Sequence, residues 1–455
     1  MVRTDSWTRL LAKIAALAAL LGMSAGAFSL VPVDNRLAAP LTGLGLLLLG
    51  GELFAELMER AGLPHLTGYL LAGIVLGPHG LDLVPATTVG GLTPINALAL
   101  ALIALSAGGE LTMGVLRSSA KSLGAATVTQ LAIVLPLAGA AFWWLGPNMP
   151  QFAQGSRGTL VAGALLWAVL SVSRSPAATF GLIAQFRPKG PLTQYAIAIV
   201  VAFDIIVLFL FALTIQVADG IASGRGQMGL GALRQVGDNL LGSVASGTML
   251  GLIITGYFKF VGRQPILFLG VVAYAMAEFA AFFGYDMLLL FVVAGLIVAN
   301  VSRSGGELLL EATSQGGRVA YVVFFALAGA HLDLGLLATI WPLALGLAAV
   351  RVLATWLAAR AGSWMASDEP VVRKYGWMPL VSQAGVTLGM GVVVANAFPN
   401  SFGPALQSLT VAVVGINELV GPILFKIALD RAGEKSRDLD EPLREAIEQP
   451  ESEAA

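Results

Sequence analysis

The 455-residue sequence predicts an all-α polytopic membrane protein with 13–14 transmembrane helices. Three observations predict this fold class: the composition, the spacing of the apolar runs and the distribution of basic residues. Hydrophobic residues make up 57% of the chain and charged residues only 12%, whereas soluble globular proteins carry about 25% charged residues. The mean hydropathy is +0.82. The composition therefore excludes a soluble globular protein.

Fourteen apolar runs are long enough to cross, or nearly cross, the hydrocarbon core of a bilayer. Residues 1–40 contain the first run, at 11–31, whose basic start and Ala25-Gly26-Ala27 fit either a cleavable signal or an uncleaved helix. The uncleaved helix is favoured. The polar residues 429–455 are predicted to form a short cytoplasmic tail. Between them, the membrane domain at 41–428 contains the other runs, at 41–58, 66–79, 94–111, 122–146, 159–183, 193–218, 238–260, 265–283, 286–302, 318–331, 335–360, 376–397 and 404–428.

The basic residues test this number of helices, because cytoplasmic loops of membrane proteins carry an excess of Lys and Arg. With fourteen helices, twenty of the 26 basic residues fall on one side and four on the other. Both termini are therefore predicted to be cytoplasmic. If the first segment is cleaved, the N-terminus becomes external and every later loop keeps its side. The two remaining basic residues, Arg174 and Arg351, lie inside apolar segments.

The residue types also restrict the chemistry. The chain has no cysteine and three histidines, which are not spaced as a pair of metal ligands. No Gly-x-Ser-x-Gly with a suitable histidine, no His-Glu-x-x-His and no cluster of aspartates is present. The sequence therefore predicts neither an enzyme nor a resident cofactor, and it gives no sign of nucleic-acid binding.

Two of the apolar segments are interrupted by polar and helix-breaking residues. The sixth contains "SVSRSPAAT" at 171–179, and the thirteenth contains "VSQAGVTLG" at 381–389. Backbone groups freed by such breaks are tolerated at membrane depth where they line a cavity or are buried in protein. The segments are seven apart, so they run in opposite directions. Each is the middle helix of a triple, at about 122–218 and 335–428, which indicates an inverted-repeat transporter with two broken helices.

Four ionisable residues inside these triples are candidates for a functional site, because charged groups at membrane depth are costly. Asp204 stands alone in the apolar run "AIAIVVAFDIIVLFLFALTI", which makes it the most central acid. Arg351 is predicted to pair with an acid, with backbone carbonyls or with water, the alternative being that it reaches the cytoplasmic surface. Glu418, in the last helix, is a candidate partner for Arg174 or Arg351.

Several motifs resemble the monovalent cation:proton antiporter superfamily, in its bacterial sodium/proton and potassium-efflux branch. The segment "HLTGYLLAGIVLGPHGL" (65–81) resembles the second-helix signature of that family and is its most specific match. Weaker matches follow in the family's order, and together they extend over about 41–428. They are "ALSAGGEL" (104–111), "LLLFVVAGLIVAN" (288–300), "VVFFALAGAHLDL" (322–334) and "INELVGPILFK" (416–426).

The resemblance implies the sodium/proton antiporter fold, with two crossing broken helices in a core beside a dimerisation panel. It implies exchange of Na⁺ or K⁺ for H⁺ by a homodimer in the bacterial inner membrane, with Asp204 as the ion and proton carrier and Arg351 as its charge partner. The tail is too short for the nucleotide-binding domain of some potassium-efflux relatives. The breaks are expected at Ser173–Thr179 and Gln383–Gly389, with polar groups from Ser173, Ser175, Thr179, Gln383 and Thr387.

One position departs from the family pattern. Relatives keep a polar residue immediately before the carrier aspartate, and this chain has Phe203 there, so the identity of the ion and the stoichiometry stay open. A single carboxylate predicts one cation per proton and electroneutral exchange. The alternative is a sodium-coupled symporter for an organic anion on the same fold, which Arg174 and Phe203 favour slightly. The antiporter signature at 65–81 is evidence against it.

Overall fold

A computed structural model describes residues 38–109, 113–114, 119–223, 230–332, 334–383 and 385–435, together with five isolated residues near the N-terminus. The described part is helical and contains no strand. Its first half contains seven main helices, of which α5 and α6 are the two parts of the Pro-containing sixth segment, and short helical turns at Ala86–Gly91, Gly146–Asn148 and Pro150–Ala153. The main helices are α1 (Ala38–Arg60), α2 (His65–Leu76), α3 (Thr93–Gly109), α4 (Ala120–Leu145), α5 (Arg157–Val172), α6 (Pro176–Phe186) and α7 (Pro191–Ser223).

The second half of the described chain also contains seven main helices. Of the last two, α13 is the part of the second broken segment that follows the break, and α14 is the final helix of the second triple. Short helical turns at Pro370–Tyr375 and Met378–Leu380 precede α13. The helices are α8 (Leu230–Phe260), α9 (Pro265–Phe283), α10 (Met287–Val301), α11 (Arg303–Ala330), α12 (Leu334–Ala366), α13 (Gly385–Ala397) and α14 (Gly403–Ala432).

These helices confirm the predicted fold class. Eight of the described helices, counting α5 and α6 as one, are long and apolar enough to cross a membrane, and five more are shorter apolar helices. Each of the thirteen predicted segments from 41 onward coincides with a helix or with a broken helix. The first predicted segment, 11–31, lies outside the described residues apart from five isolated positions.

One predicted boundary is wrong by a wide margin. The eleventh segment was expected at 318–331, whereas α11 begins at Arg303. Its first half is amphipathic: Leu309 and Ala312 are buried, while Arg303 and Glu307 are exposed. An apolar run marks only the part of a helix that is apolar all round, so the amphipathic half gave no signal.

The helices of the two predicted triples pack together. α4 and α12, the first helices of the triples, lie along each other, and α5 packs against both α4 and α7. In the second triple, α14 contacts both α12 and α13. A single hydrophobic cluster runs through these helices and contains Phe142, Trp167, Phe203 and Phe402.

The other helices pack through very close backbone contacts. α11 lies against α1, α2 and α3, and α10 lies between α3 and α8. A Cβ atom at Gly73 of α2 would collide with the carbonyl of Ala326, and one at Gly329 of α11 would collide with the carbonyl of Leu70. Small residues allow membrane helices to approach in this way, which gives dispersion contacts in place of a hydrophobic driving force.

Candidate functional site

Both broken segments lose their helical backbone at the N-terminal side of the predicted breaks, Ser173–Thr179 and Gln383–Gly389, because Pro176–Thr179 and Gly385–Gly389 are helical. α5 ends at Val172 and α6 begins at Pro176, which has no N–H and suits the first position of a helix. The hydroxyl of Ser175 caps α6 by accepting a hydrogen bond of 3.1 Å from the amide of Ala178. In the second broken segment, Val381–Gln383 are non-helical and α13 begins at Gly385.

The two breaks touch and satisfy each other's polar groups. The amide of Ser175 donates to the carbonyl of Ser382 over 3.0 Å, and Nε2 of Gln383 donates to the carbonyl of Leu170 over 2.8 Å. The hydroxyls of Ser173 and Thr387 form a hydrogen bond across the crossing point. Backbone left unpaired by one break is therefore stabilised by the other, as membrane depth requires.

Thr179 lies beyond the first break, inside α6. Its side chain is 1% exposed, and its hydroxyl has no hydrogen-bond partner among the described residues. The structure therefore brings Ser173, Ser175, Gln383 and Thr387 to the crossing point, while Thr179 is one helical turn away from the cap Ser175.

Arg351 is buried beside the two breaks. It is 1% exposed, so the alternative in which it reaches the cytoplasmic surface is wrong. Its Nε donates to the carbonyl of Ser171 over 3.0 Å, and one terminal nitrogen donates to the carbonyl of Ser173 over 2.8 Å. The other terminal nitrogen donates to the carbonyl of Val381 over 2.6 Å. One guanidinium thus holds carbonyls from both broken segments, which its planar fork of donors allows.

Arg174 is a second buried guanidinium at the same point. It is 1% exposed and donates to Oε1 of Gln130 over 2.7 Å and to the hydroxyl of Thr355 over 3.3 Å. Its other terminal nitrogen lies 3.3–3.4 Å from the carbonyls of Ser173 and Ser171, the carbonyls that Arg351 also uses. Two positive charges therefore share acceptors, an arrangement that needs negative charge nearby.

Glu418 of α14 supplies a carboxylate to this cluster. It is 3% exposed, lies close enough to Arg351 for their opposite charges to attract, and lies near the side chain of Ser175. Neither of its oxygens makes a hydrogen bond of regular geometry within the described part of the chain. The adjacent Asn417 donates to Oε1 of Gln383 over 2.7 Å, which ties α14 to the second break.

Asp204 lies on α7, which packs against α5. Its side chain is outside the described ones, so the predicted pairing with Arg351 stays a prediction. The neighbouring Phe203 is completely buried in the cluster of the two triples. The apolar side chain that stands in place of a polar neighbour therefore serves as packing.

Sequence reasoning missed three polar partners of the site. Gln130 and Thr355 accept hydrogen bonds from Arg174, and Asn417 donates a hydrogen bond to Gln383. Two signals were available. Gln130 is a lone amide within an apolar segment, and Thr355 follows Arg351 by four residues, which places both on one helical face. Among the described residues, no group of three His, Asp or Glu side chains could hold a metal ion.

Comparison with known proteins gives a family match and a fold match. The family model "Sodium/hydrogen exchanger, transmembrane" matches residues 44–431. A structure of the sodium proton antiporter MjNhaP1 from Methanocaldococcus jannaschii at pH 8 superposes with a TM-score of 0.61 at 18% identity, covering 88% of this chain and 97% of that chain. A second structure of that antiporter, from an electron-microscopy map, gives a TM-score of 0.67 at 18% identity and covers 86% and 97%. No curated protein matches.

Proposed function

The chain belongs to the sodium/hydrogen exchanger family, and we propose that in its exchange of a cation for protons Asp204 is the residue that carries both ions in turn. The family makes it a secondary active transporter rather than an enzyme. A single carboxylate serves two ligands by competition, because protonation removes the negative charge that a cation needs. One carboxylate then exchanges one cation for one proton, so the proposed exchange is electroneutral.

The observation that carries this proposal is the crossing of the two breaks under one guanidinium. Arg351 donates to carbonyls of both broken segments, in a place where two half-helices of opposite direction meet. Transporters with inverted repeats build their ion sites from such discontinuous helices near the middle of the membrane. The crossing supplies the hydroxyl, amide and carbonyl oxygens that a hard, dehydrated cation requires in addition to a carboxylate.

Arg351 and Glu418 are proposed to set the charge of the site. Within the described part of the chain, the hydrogen bonds of Arg351 use four of its five N–H donors, the fourth being a long contact of 3.5 Å to Leu380. One donor therefore stays available for Asp204 when neither ion is bound. Arg174 and Arg351 together balance Glu418 and an ionised Asp204, so that the empty site is neutral and each loaded site carries one positive charge.

We propose that α4–α7 and α12–α14 form the transporting core and that the other helices form the dimerisation panel. A cavity of about 640 Å³ lies between α6 and the panel helices α2, α3 and α11. Its lining includes Lys189, which belongs to a loop on the predicted cytoplasmic side. This cavity is the proposed cytoplasmic entrance.

Homodimer formation is proposed from the exposed face of α9. Leu267, Val271 and Phe282 are 63%, 71% and 85% exposed, and Glu278 lies on the same helix and is also exposed. Burying a carboxylate against a second copy removes it from lipid, where an ionisable group is costly. The proposed location is the bacterial inner membrane with the C-terminus in the cytoplasm, on the basis of the Lys and Arg distribution.

Na⁺ is the proposed cation, with K⁺ as the competing outcome. The support is the likeness of the fold to the sodium proton antiporter MjNhaP1. The organic-anion symporter is not favoured, because the chain belongs to an exchanger family. Arg174 is also occupied by Gln130, Thr355 and two carbonyls, which leaves only its Nε without a partner among the described residues.

The test is flux in proteoliposomes that contain a pH-sensitive dye. Addition of Na⁺, K⁺ or Li⁺ without an organic substrate identifies the ion, and the expected result is proton movement driven by Na⁺. The same flux is then measured with a membrane potential imposed by valinomycin in the presence of K⁺. Electroneutral exchange predicts the same initial rate at either polarity. A rate that follows the membrane potential would disprove one-for-one exchange.

A further inference from the structure

The first turn of α7 has no capping side chain of its own. The helix begins at Pro191, which has no N–H, and the preceding residue is Gly190, which has no side chain. The amides of Leu192 and Thr193 are therefore among the first groups of α7 without a helical acceptor. A helix that begins in this way needs an acceptor from elsewhere, usually Ser, Thr, Asp or Asn at the N-cap.

Glu434, which follows α14 at the C-terminal end of the membrane domain, supplies that acceptor. Its Oε1 accepts from the amide of Leu192 over 2.7 Å, and its Oε2 accepts from the amide and the hydroxyl of Thr193 over 2.8 and 2.6 Å. Its own carbonyl accepts from the amide of Lys189 over 2.8 Å. The side chain is 6% exposed. A carboxylate in this position also interacts favourably with the positive end of the helix dipole.

The end of α14 is shaped to deliver this carboxylate. Gly433 has a φ of +68° and turns the chain after α14, so that Glu434 points back to the turn between α6 and α7. A Cβ atom at Gly190 would lie 2.5 Å from Cγ and Oε1 of Glu434, so residue 190 has to be glycine while the carboxylate is there. Lys435 adds a contact to Phe186, the last residue of α6, at 4.4 Å from the ring centre.

Glu434 therefore joins α7 of the first triple to the end of α14 of the second, at a point apart from the breaks. The breaks join the two triples near Glu418, and Glu434 follows sixteen residues later, about 24 Å along a helix. Thr193 in turn precedes Asp204 by eleven residues, or about 16 Å. Packing of α4 along α12 already joins the triples, so what Glu434 adds is a fixed position of the first turn of α7 relative to the end of α14.

We propose that Glu434 is a positioning residue for transport, which clamps the N-terminus of α7 to the end of α14 so that α7 keeps its place when the two triples move. This inference rests on the proposed function, in which α7 carries the ion-binding aspartate. A rigid core passes the ion from one side to the other by moving against a fixed panel. If the N-terminus of α7 is released, the maximal exchange rate should fall, while the ion site itself is unchanged.

The first test compares Glu434→Gln with Glu307→Gln, a control at an exposed carboxylate that pairs with exposed Arg303. Glutamine keeps the shape but turns one acceptor oxygen into an NH₂ donor that faces amide donors. The maximal exchange rate per monodisperse transporter should fall at least about fivefold, the factor that corresponds to a lost helix cap. The half-saturating Na⁺ concentration and the pH midpoint should stay unchanged.

The second test uses the space between Gly190 and Glu434. Gly190→Ala alone should reduce the rate, because the methyl group displaces the carboxylate. In a Glu434→Ala background the methyl group has room, so the double variant should be no slower than Glu434→Ala alone. Hydrogen exchange of the amides of Leu192 and Thr193 should accelerate at least about fivefold in both single variants.

Three results would overturn the clamp: a wild-type rate per folded Glu434→Gln transporter, additive losses in the double variant, or unchanged amide exchange. A change in half-saturating Na⁺ equal to the loss of rate would also contradict it, since the site itself would then be altered. These outcomes are separate from the proposed function. The role of Asp204 is tested separately with Asp204→Asn, and hydrogen exchange of the two amides measures the clamp without any transport.

Discussion

Replacing Arg351 with lysine keeps the buried positive charge and removes the planar fork that joins the two breaks. Three short hydrogen bonds are at stake, to the carbonyls of Ser171, Ser173 and Val381 at 3.0, 2.8 and 2.6 Å. A single ammonium nitrogen can keep about one of them. Hydrogen bonds from a charged donor contribute about 1.5–3 kcal/mol each, so the loss of two corresponds to about 3–6 kcal/mol.

The assay is thermal unfolding of the purified protein, followed by the fluorescence of its eight tryptophans. Globular proteins have an unfolding entropy of about 2.1 cal/mol/K per residue, which for 455 residues converts 3–6 kcal/mol into a drop of about 3–6 °C in Tm. Arg360→Lys is the matched control, because Arg360 lies on the same helix and is exposed. It should leave Tm within about 1 °C of the wild type.

Equal Tm values for Arg351→Lys and Arg360→Lys would refute this reasoning. They would mean that the carbonyls at the two breaks are held equally well without the guanidinium. The crossing of the broken segments would then depend on their direct contacts alone, such as the one between Ser175 and Ser382.

Two further predictions concern charge and pH. Glu418→Gln leaves two buried guanidiniums opposite one carboxylate. The half-saturating Na⁺ concentration should therefore rise severalfold in flux assays, and an unchanged value would exclude Glu418 from the site. Asp368 lies in the turn after α12, where burial raises the pKa of its carboxyl despite a hydrogen bond from Ser122. A raised pKa means that the ionised carboxyl is less favourable in the folded than in the unfolded protein. Ionisation of Asp368 therefore lowers the free energy of unfolding as the pH rises from about 4 through its pKa in the folded protein. The Tm of Asp368→Asn relative to the wild type should therefore be higher at neutral pH than at about pH 4, and a difference that does not depend on pH would contradict this cause.

The sequence predicted the helices because each membrane span is a local pattern. Long apolar runs and alternating basic loops are visible within some twenty residues. The break at Pro176 and the polar residues around Gln383 are local signals too, and their seven-segment separation predicted two triples of opposite direction. The amphipathic start of α11 escaped because half of its surface is polar, as in a helix at a protein surface.

The contacts of the site were harder to predict, because they join residues far apart in the chain. An acid, backbone carbonyls and water were all open as partners of Arg351, and its described hydrogen bonds go to backbone carbonyls. Carbonyl acceptors appear only once a helix is broken and another crosses it, and no residue type marks them. The cap of α7 was equally hard to predict, because Glu434 is 242 residues from Leu192 and lies in a segment that the sequence predicts to be a polar tail.

The most direct test of the account is cation-driven proton movement in proteoliposomes that contain Asp204→Asn. Asparagine keeps the volume of the side chain and removes the group that would bind proton and cation. Glu307→Gln, at an exposed ion pair, controls for the loss of a carboxylate. The expected result is that Na⁺ drives proton movement in the wild type and the control, and that proton movement with Asp204→Asn does not exceed that of empty liposomes. Exchange by Asp204→Asn at the wild-type rate would contradict it.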